Sequence, residues 1–168
     1  MHYELRDEFD VSAGLDDVWK FFSKVANLPK ITPAWMNFEI HTPESVVIHQ
    51  DTVFDYTIRW LGIPFHWKSR ILDWDPPRRF VDIQVRGPYS LWHHEHRFTP
   101  LESGGVRCFD RVIYQLPLGP IGRLTHSMVV RKQLIEIFRH RRRVIGENLG
   151  GVRAVQSDVR IQSLIKAT

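Results

Sequence analysis

A single cysteine, Cys108, in 168 residues excludes an internal disulfide framework and any centre built on paired thiolates. No apolar run approaches the roughly 18 residues that a membrane span requires. The opening MHYELRDEFD is acidic and alternating, the pattern of a strand rather than a leader, so a reducing, cytoplasmic setting is the expectation. G-x-G-x-x-G, the P-loop, G-x-S-x-G and H-E-x-x-H are all missing, and with them the usual signatures of dinucleotide binding, nucleoside triphosphate binding, serine hydrolysis and zinc peptidases. Internal repeats and low-complexity stretches are absent too. The pattern carries no oligomeric signal.

What remains is an ordinary domain composition with more aromatic rings than a minimal core needs, six of them tryptophan. Charge is uneven. Residues 122–168 carry ten basic against three acidic side chains, whereas the rest of the chain is mildly acidic. The cluster Arg139-His140-Arg141-Arg142-Arg143 lacks the aromatic interleaving of single-strand binders. It reads as the solvated face of a helix. At most weak, sequence-independent association with nucleic acid is expected, since phosphate contacts alone carry no base readout.

Along the chain, residues 3–11 read as an exposed strand. Ser12 is the expected N-cap of a helix with Asp16 and Asp17 in its first turn. Pro29 and Pro33 limit the next segment to a second short helix. From about residue 36 to 116 the period is two: Phe54, Tyr56, Ile58 and Trp60; Phe65, Trp67, Ser69 and Ile71; Trp92, His94, His96 and Phe98; Val106, Cys108, Asp110, Val112 and Tyr114. Short turns rich in Gly and Pro separate these runs, which predicts an antiparallel meander with one apolar and one wet face. After Pro117-Leu118-Gly119-Pro120 the period becomes 3.6 and one helix is expected over 122–149, closed by Gly150-Gly151. Its apolar band is Val130, Leu134, Ile137, Phe138, Val144 and Ile145, with Arg141 near the centre. Residues 150–168 read as a flexible tail, with room for one short helix.

This order of elements is that of an α+β helix-grip fold, a curved antiparallel sheet of six to seven strands wrapped around a long C-terminal helix, with two short helices near the N-terminus. The runs WMNFEI (35–40), GIPFHWKSRI (62–71), FVDIQVRGPYSLWHHEHRF (80–98), DRVIYQLPLGPIGRL (110–124) and IFRHRR (137–142) resemble the bacterial ligand-binding branch of the START-like, or SRPBCC, superfamily, which includes polyketide cyclase/dehydrase-like and Bet v 1-like proteins. The resemblance spans roughly residues 1–149. It implies a hydrophobic cavity between sheet and helix and a small lipid-like, aromatic or polyketide-like ligand. It brings no transferable catalytic motif and no cofactor.

Three constellations bear on chemistry. His94 and His96, two apart on a strand, share a face, the spacing of strand-borne zinc ligands. A third ligand would have to come from Asp110 or His66, and no tightly bound zinc is expected. The alternatives are cavity-lining or plain core histidines, and the resemblance favours the cavity. Arg141 stays ionised at any relevant pH, so it either reaches solvent or meets an inward acid, with Asp110 the first candidate and Asp82 the second. Finally Tyr56, Trp60, Trp67, Trp92, Tyr114 and Phe138 should converge as pocket walls, joined by His94, His96 and Arg141 as polar handles. Cys108, inward among apolar neighbours, is expected to be an inert core thiol. The preferred expectation is a binding or carrier domain. The alternative is a cyclase or dehydratase using His94, His96, Asp110 and Arg141 in the same cavity.

Overall fold

Alternation of apolar and polar residues commits a strand to one buried face, and consecutive alternating segments joined by tight turns pair with their neighbours in sequence. In the computed structural model, which describes residues 1–43, 45–60, 62–154 and 158–164 (the side chains of Trp60 and Ala154 excepted), they do so. β3 (Val53–Trp60), β4 (Ile63–Asp75), β5 (Arg79–Arg86), β6 (Leu91–Pro100) and β7 (Val106–Gln115) form an antiparallel meander. β1 (His2–Val11) adds beside β7, and the two-residue β2 (Glu39–Ile40) caps the other edge. Those six long strands match the expected sheet.

Two further strands come from the segment read as a tail. β8 (Val152–Ala154) and β9 (Arg160–Leu164) both pair antiparallel with β1, giving nine strands among the described residues. The sequence expectation of a flexible tail is corrected here for residues 152–154 and 160–164. A three-residue and a five-residue strand are too short for their own periodicity to show, and the exposed edge of β1 supplies the pairing.

The helix start also differs from expectation. α1 (Leu15–Phe22) is capped by Gly14 in an extended conformation, with no side-chain cap, rather than by Ser12. Ala13 N–H instead donates to Leu149 O at 3.1 Å, which ties this loop to the end of the last helix and delays the first turn. Asp16 and Asp17 do sit in that turn. Single turns of 3₁₀ helix at Val25–Asn27 and Ala34–Met36 stand where the second short helix was expected.

The last helix runs as α2 (Gly119–Thr125), a π-helical turn (His126–Val130) and α3 (Arg131–Asn148). Gly150, at φ 83°, takes the left-handed conformation that ends it. Val130, Leu134, Phe138, Val144 and Ile145 are buried, so the expected apolar band faces the sheet. The inner face of the sheet is set by register: Leu5 opposes Val112, Asp7 opposes Asp110, Phe9 opposes Cys108, and His96 opposes Asp110. Burying each large apolar side chain there contributes about 1.5–3 kcal/mol, which is what holds helix to sheet. No helix among the described residues is long and apolar enough to cross a membrane.

A buried histidine and carboxylate cluster at the cavity wall

Three neighbouring strands place polar residues on the inner face at the same level. On β6, His94 and His96 lie two apart with ring centroids 3.8 Å from each other. On β5, Asp82 is the cross-strand partner of His94, and on β7, Asp110 is that of His96. α3 closes the group from above with Arg141. Strand alternation alone puts these side chains on one face; the sheet's register brings them into one cluster.

The imidazoles are held between two acids. His96 Nδ1 lies 2.6 Å from Asp110 Oδ1, and its Nε2 lies 3.1 Å from Asp82 Oδ1. His94 Nε2 is 3.3 Å from Asp110 Oδ1 and its Nδ1 is 3.6 Å from Asp82 Oδ1. Arg141 Nε faces Asp110 Oδ2 at 3.4 Å, and its guanidinium covers the Phe22 ring at 5.3 Å. Arg141 Nη2 also approaches His96 Nδ1 at 3.3 Å. With Nδ1–H donating to Asp110 at the shorter distance, that contact is an approach and not a second hydrogen bond.

Electrostatics separate the two rings. Burial pushes His94 down to about 4, reinforced by the neighbouring His96, and its acid partners only partly compensate. Burial opposes charge on His96 as well, but the charge and hydrogen bond of Asp110 and the hydrogen bond to Asp82 outweigh it and raise its pKa. The same surroundings thus shift the two rings in opposite directions, His94 down and His96 up. Both carboxylates resist burial in the same way. Arg141 and His96 hold Asp110 well below the usual range, and His96 with His94 lowers Asp82.

Above this cluster, between sheet and helix, lies a cavity of about 220 Å³. Of the residues expected to line it, Tyr56, Trp67, Trp92, His94, His96, Phe138 and Arg141 do. Trp67 donates from Nε1 to Ser69 Oγ at 3.0 Å and meets Trp92 edge-on at 5.3 Å, so its ring is fixed as a wall. The Trp60 side chain lies outside the described residues. Tyr114 is a correction: it does not line the cavity. It is fully buried, its hydroxyl bonded to His126 Nε2 at 2.7 Å, because the π-helical turn swings His126 over the sheet and closes that end. Asp110 lies behind the two histidines rather than in the wall. His66 is a second correction, since it pairs with Asp55 at 2.5 Å on the other face, away from the cluster. Sequence reasoning ranks Asp82 only as a second partner for Arg141. Its place in the wall agrees with the alternation of Phe80, Asp82 and Gln84 across β5, a signal present in the residues. Phe22 and Tyr89 also line the cavity. Cys108 is buried as expected, and burial pushes its thiol up, away from nucleophilic chemistry.

Comparisons with known proteins agree with this architecture. Residues 11–138 match the family described as polyketide cyclase / dehydrase and lipid transport. Curated proteins give no match. Among solved structures, TTHA0849 from Thermus thermophilus aligns with a TM-score of 0.69 at 18% identity, covering 87% of this chain and 96% of that one. The Zhui aromatase/cyclase from Streptomyces sp. R1128 aligns at 0.66 and 19% identity, covering 88% and 94%. A START superfamily protein from Mycobacterium smegmatis aligns at 0.64 and 12%, covering 88% and 97%. At these identities the likeness is one of fold.

Proposed function

We propose, for a chain that belongs to the polyketide cyclase/dehydrase and lipid transport family, that it binds a small, largely apolar molecule carrying one polar or anionic group. The observation that supports this most directly is the asymmetry of the cavity. Trp67, Trp92 and Phe138 supply apolar walls, while His94, His96, Asp82 and Arg141 are gathered at one side. Apolar area supplies affinity at roughly 25 cal/mol per Å², and the polar side fixes orientation. The arginine run on α3 supports a small-molecule partner over nucleic acid. Arg139, Arg141, Arg142 and Arg143 are matched to Asp158, Asp110, Asp7 and Glu147, which leaves little free positive charge for phosphates.

A second reading, favoured by the same cluster, is cyclase or dehydratase chemistry. In this reading His96, its pKa raised, serves as the acid, His94, its pKa lowered, as the base, and Arg141 holds an enolate or carboxylate. Native mass spectrometry of the freshly purified chain, followed by solvent extraction, tests the first reading: a bound mass lost on Trp67→Ala supports it, and an empty chain that also fails to quench with apolar aromatic probes overturns it. Turnover of the extracted compound, abolished by His94→Ala with binding retained, would establish the second.

A further inference from the structure

The inner wall holds two imidazoles between two carboxylates. His94 lies between them, with Nε2 near Asp110 Oδ1 and Nδ1 near Asp82 Oδ1. His96 directs its Nε2 at that same Asp82 oxygen. Two ring nitrogens and a carboxylate thus converge on one point.

From this geometry we infer that His94 Nδ1, His96 Nε2 and the Asp82 carboxylate form a site for a divalent transition-metal ion of the zinc or iron(II) class. The three donor groups lie within 4.8 Å of one another. The two nitrogen-to-oxygen separations, 3.6 and 3.1 Å, bracket the roughly 3.4 Å edge of a tetrahedron with bonds of about 2.1 Å. Two imidazoles and one carboxylate with further positions open is a donor set these ions take. Asp110 completes the arrangement from behind. It meets His94 Nε2 and His96 Nδ1, the nitrogens that do not face the ion, as an outer carboxylate that fixes both tautomers and orientations.

Charge points the same way. Asp82 and Asp110 carry two carboxylates against the one guanidinium of Arg141, whose Nε faces Asp110 Oδ2. The expectation of no zinc rests on finding only two ligands in the sequence. β5 register supplies the third, because Asp82 pairs across to His94. All three donors also line the cavity, so the ion's open positions face it. That an oxygen of a cavity-bound molecule takes one of them rests on the ligand-binding reading above; uptake of the ion does not.

The test uses zinc alone with the tag-free chain stripped of metal. Titration should show one equivalent bound. Asp82→Ala should weaken it by at least the roughly 10–100-fold that loss of an outer-sphere partner costs, and Asp110→Asn by an amount within that range. His66→Ala should leave affinity unchanged. No uptake by the wild type, or uptake that Asp82→Ala leaves unaltered, overturns the assignment. If melting shows that a variant has not folded, anomalous scattering at the zinc edge from wild-type crystals replaces it: a peak bonded to His94 Nδ1 and His96 Nε2 supports the site, and a peak only elsewhere overturns it.

Discussion

Arg141 and Arg142 are consecutive on α3, and the acids they meet, Asp110 and Asp7, are cross-strand partners on β7 and β1. The same two residue types thus meet twice, side by side, with opposite results. Arg142 grips Asp7 through both Nε, at 3.4 Å, and Nη2, and its guanidinium lies over Phe9 at 5.7 Å. Nothing of that pair lines the cavity. Arg141 Nε faces Asp110 Oδ2 at 3.4 Å without a hydrogen bond, the carboxylate's other oxygen is taken by the histidines, and the guanidinium forms part of the cavity wall. A closed, two-point pair fastens helix to sheet. An open pair stores charge beside a space that a ligand can enter.

The largest effect that would break this contrast lies in the closed pair. Arg142→Met leaves Asp7 buried without its partner and should destabilise the fold by about 3–5 kcal/mol at pH 7 in urea unfolding. Adding Asp7→Asn should recover part of the loss, and a purely additive double mutant would show that the two residues do not act as a pair.

The next is a pH effect. Burial raises Asp7 from 3.8 to about 6 despite Arg142. The folded chain therefore holds that proton more tightly than the unfolded chain, so the contribution to stability is complete below about pH 4 and fades as pH rises through 6. Relative to Asp7→Asn, the wild type should gain up to about 3 kcal/mol between pH 7 and pH 4. Melting curves of both proteins across that range give the answer, and a difference that is constant with pH would remove Asp7 as the titrating group.

Arg141→Met should cost less, about 2 kcal/mol, because His94 and His96 remain as partners of Asp110. It should also reduce uptake of carboxylate-bearing apolar probes more than that of uncharged ones. Equal uptake of both kinds would place Arg141 with Arg142 as a fastening residue only. The smallest effect concerns the closed end of the helix. Tyr114→Phe removes the hydroxyl bonded to His126 and should cost about 1 kcal/mol while leaving probe uptake unchanged. Altered uptake would return Tyr114 to the cavity wall.

Much of this is legible in the residues. Alternation across β3, β4, β6 and β7 puts Tyr56, Trp67, His94, His96 and Asp110 on one face, and the 3.6-residue period puts Arg141 among the buried residues of α3. Tyr114 shows where such reasoning stops. Its parity on β7 is right, but whether an inward residue borders a space or a packed core depends on what stands opposite, here His126 stacked 3.5 Å over Tyr3. β8 and β9 are hidden for another reason, since short edge strands take their conformation from a partner rather than from their own pattern.

By itself the sequence determined the succession of elements, the inward and outward faces, and the family resemblance, because periodicity and turn residues act over a few neighbours along the chain. Only the tertiary structure decided that Asp82 joins His94, His96 and Asp110, that Arg141 opens onto the cavity while Arg142 does not, and that His126 seals Tyr114 away. Each of those depends on strand register or on the rotation of α3 over the sheet. Both are fixed by packing between segments distant in sequence, where a shift of one residue would send every side chain to the other face.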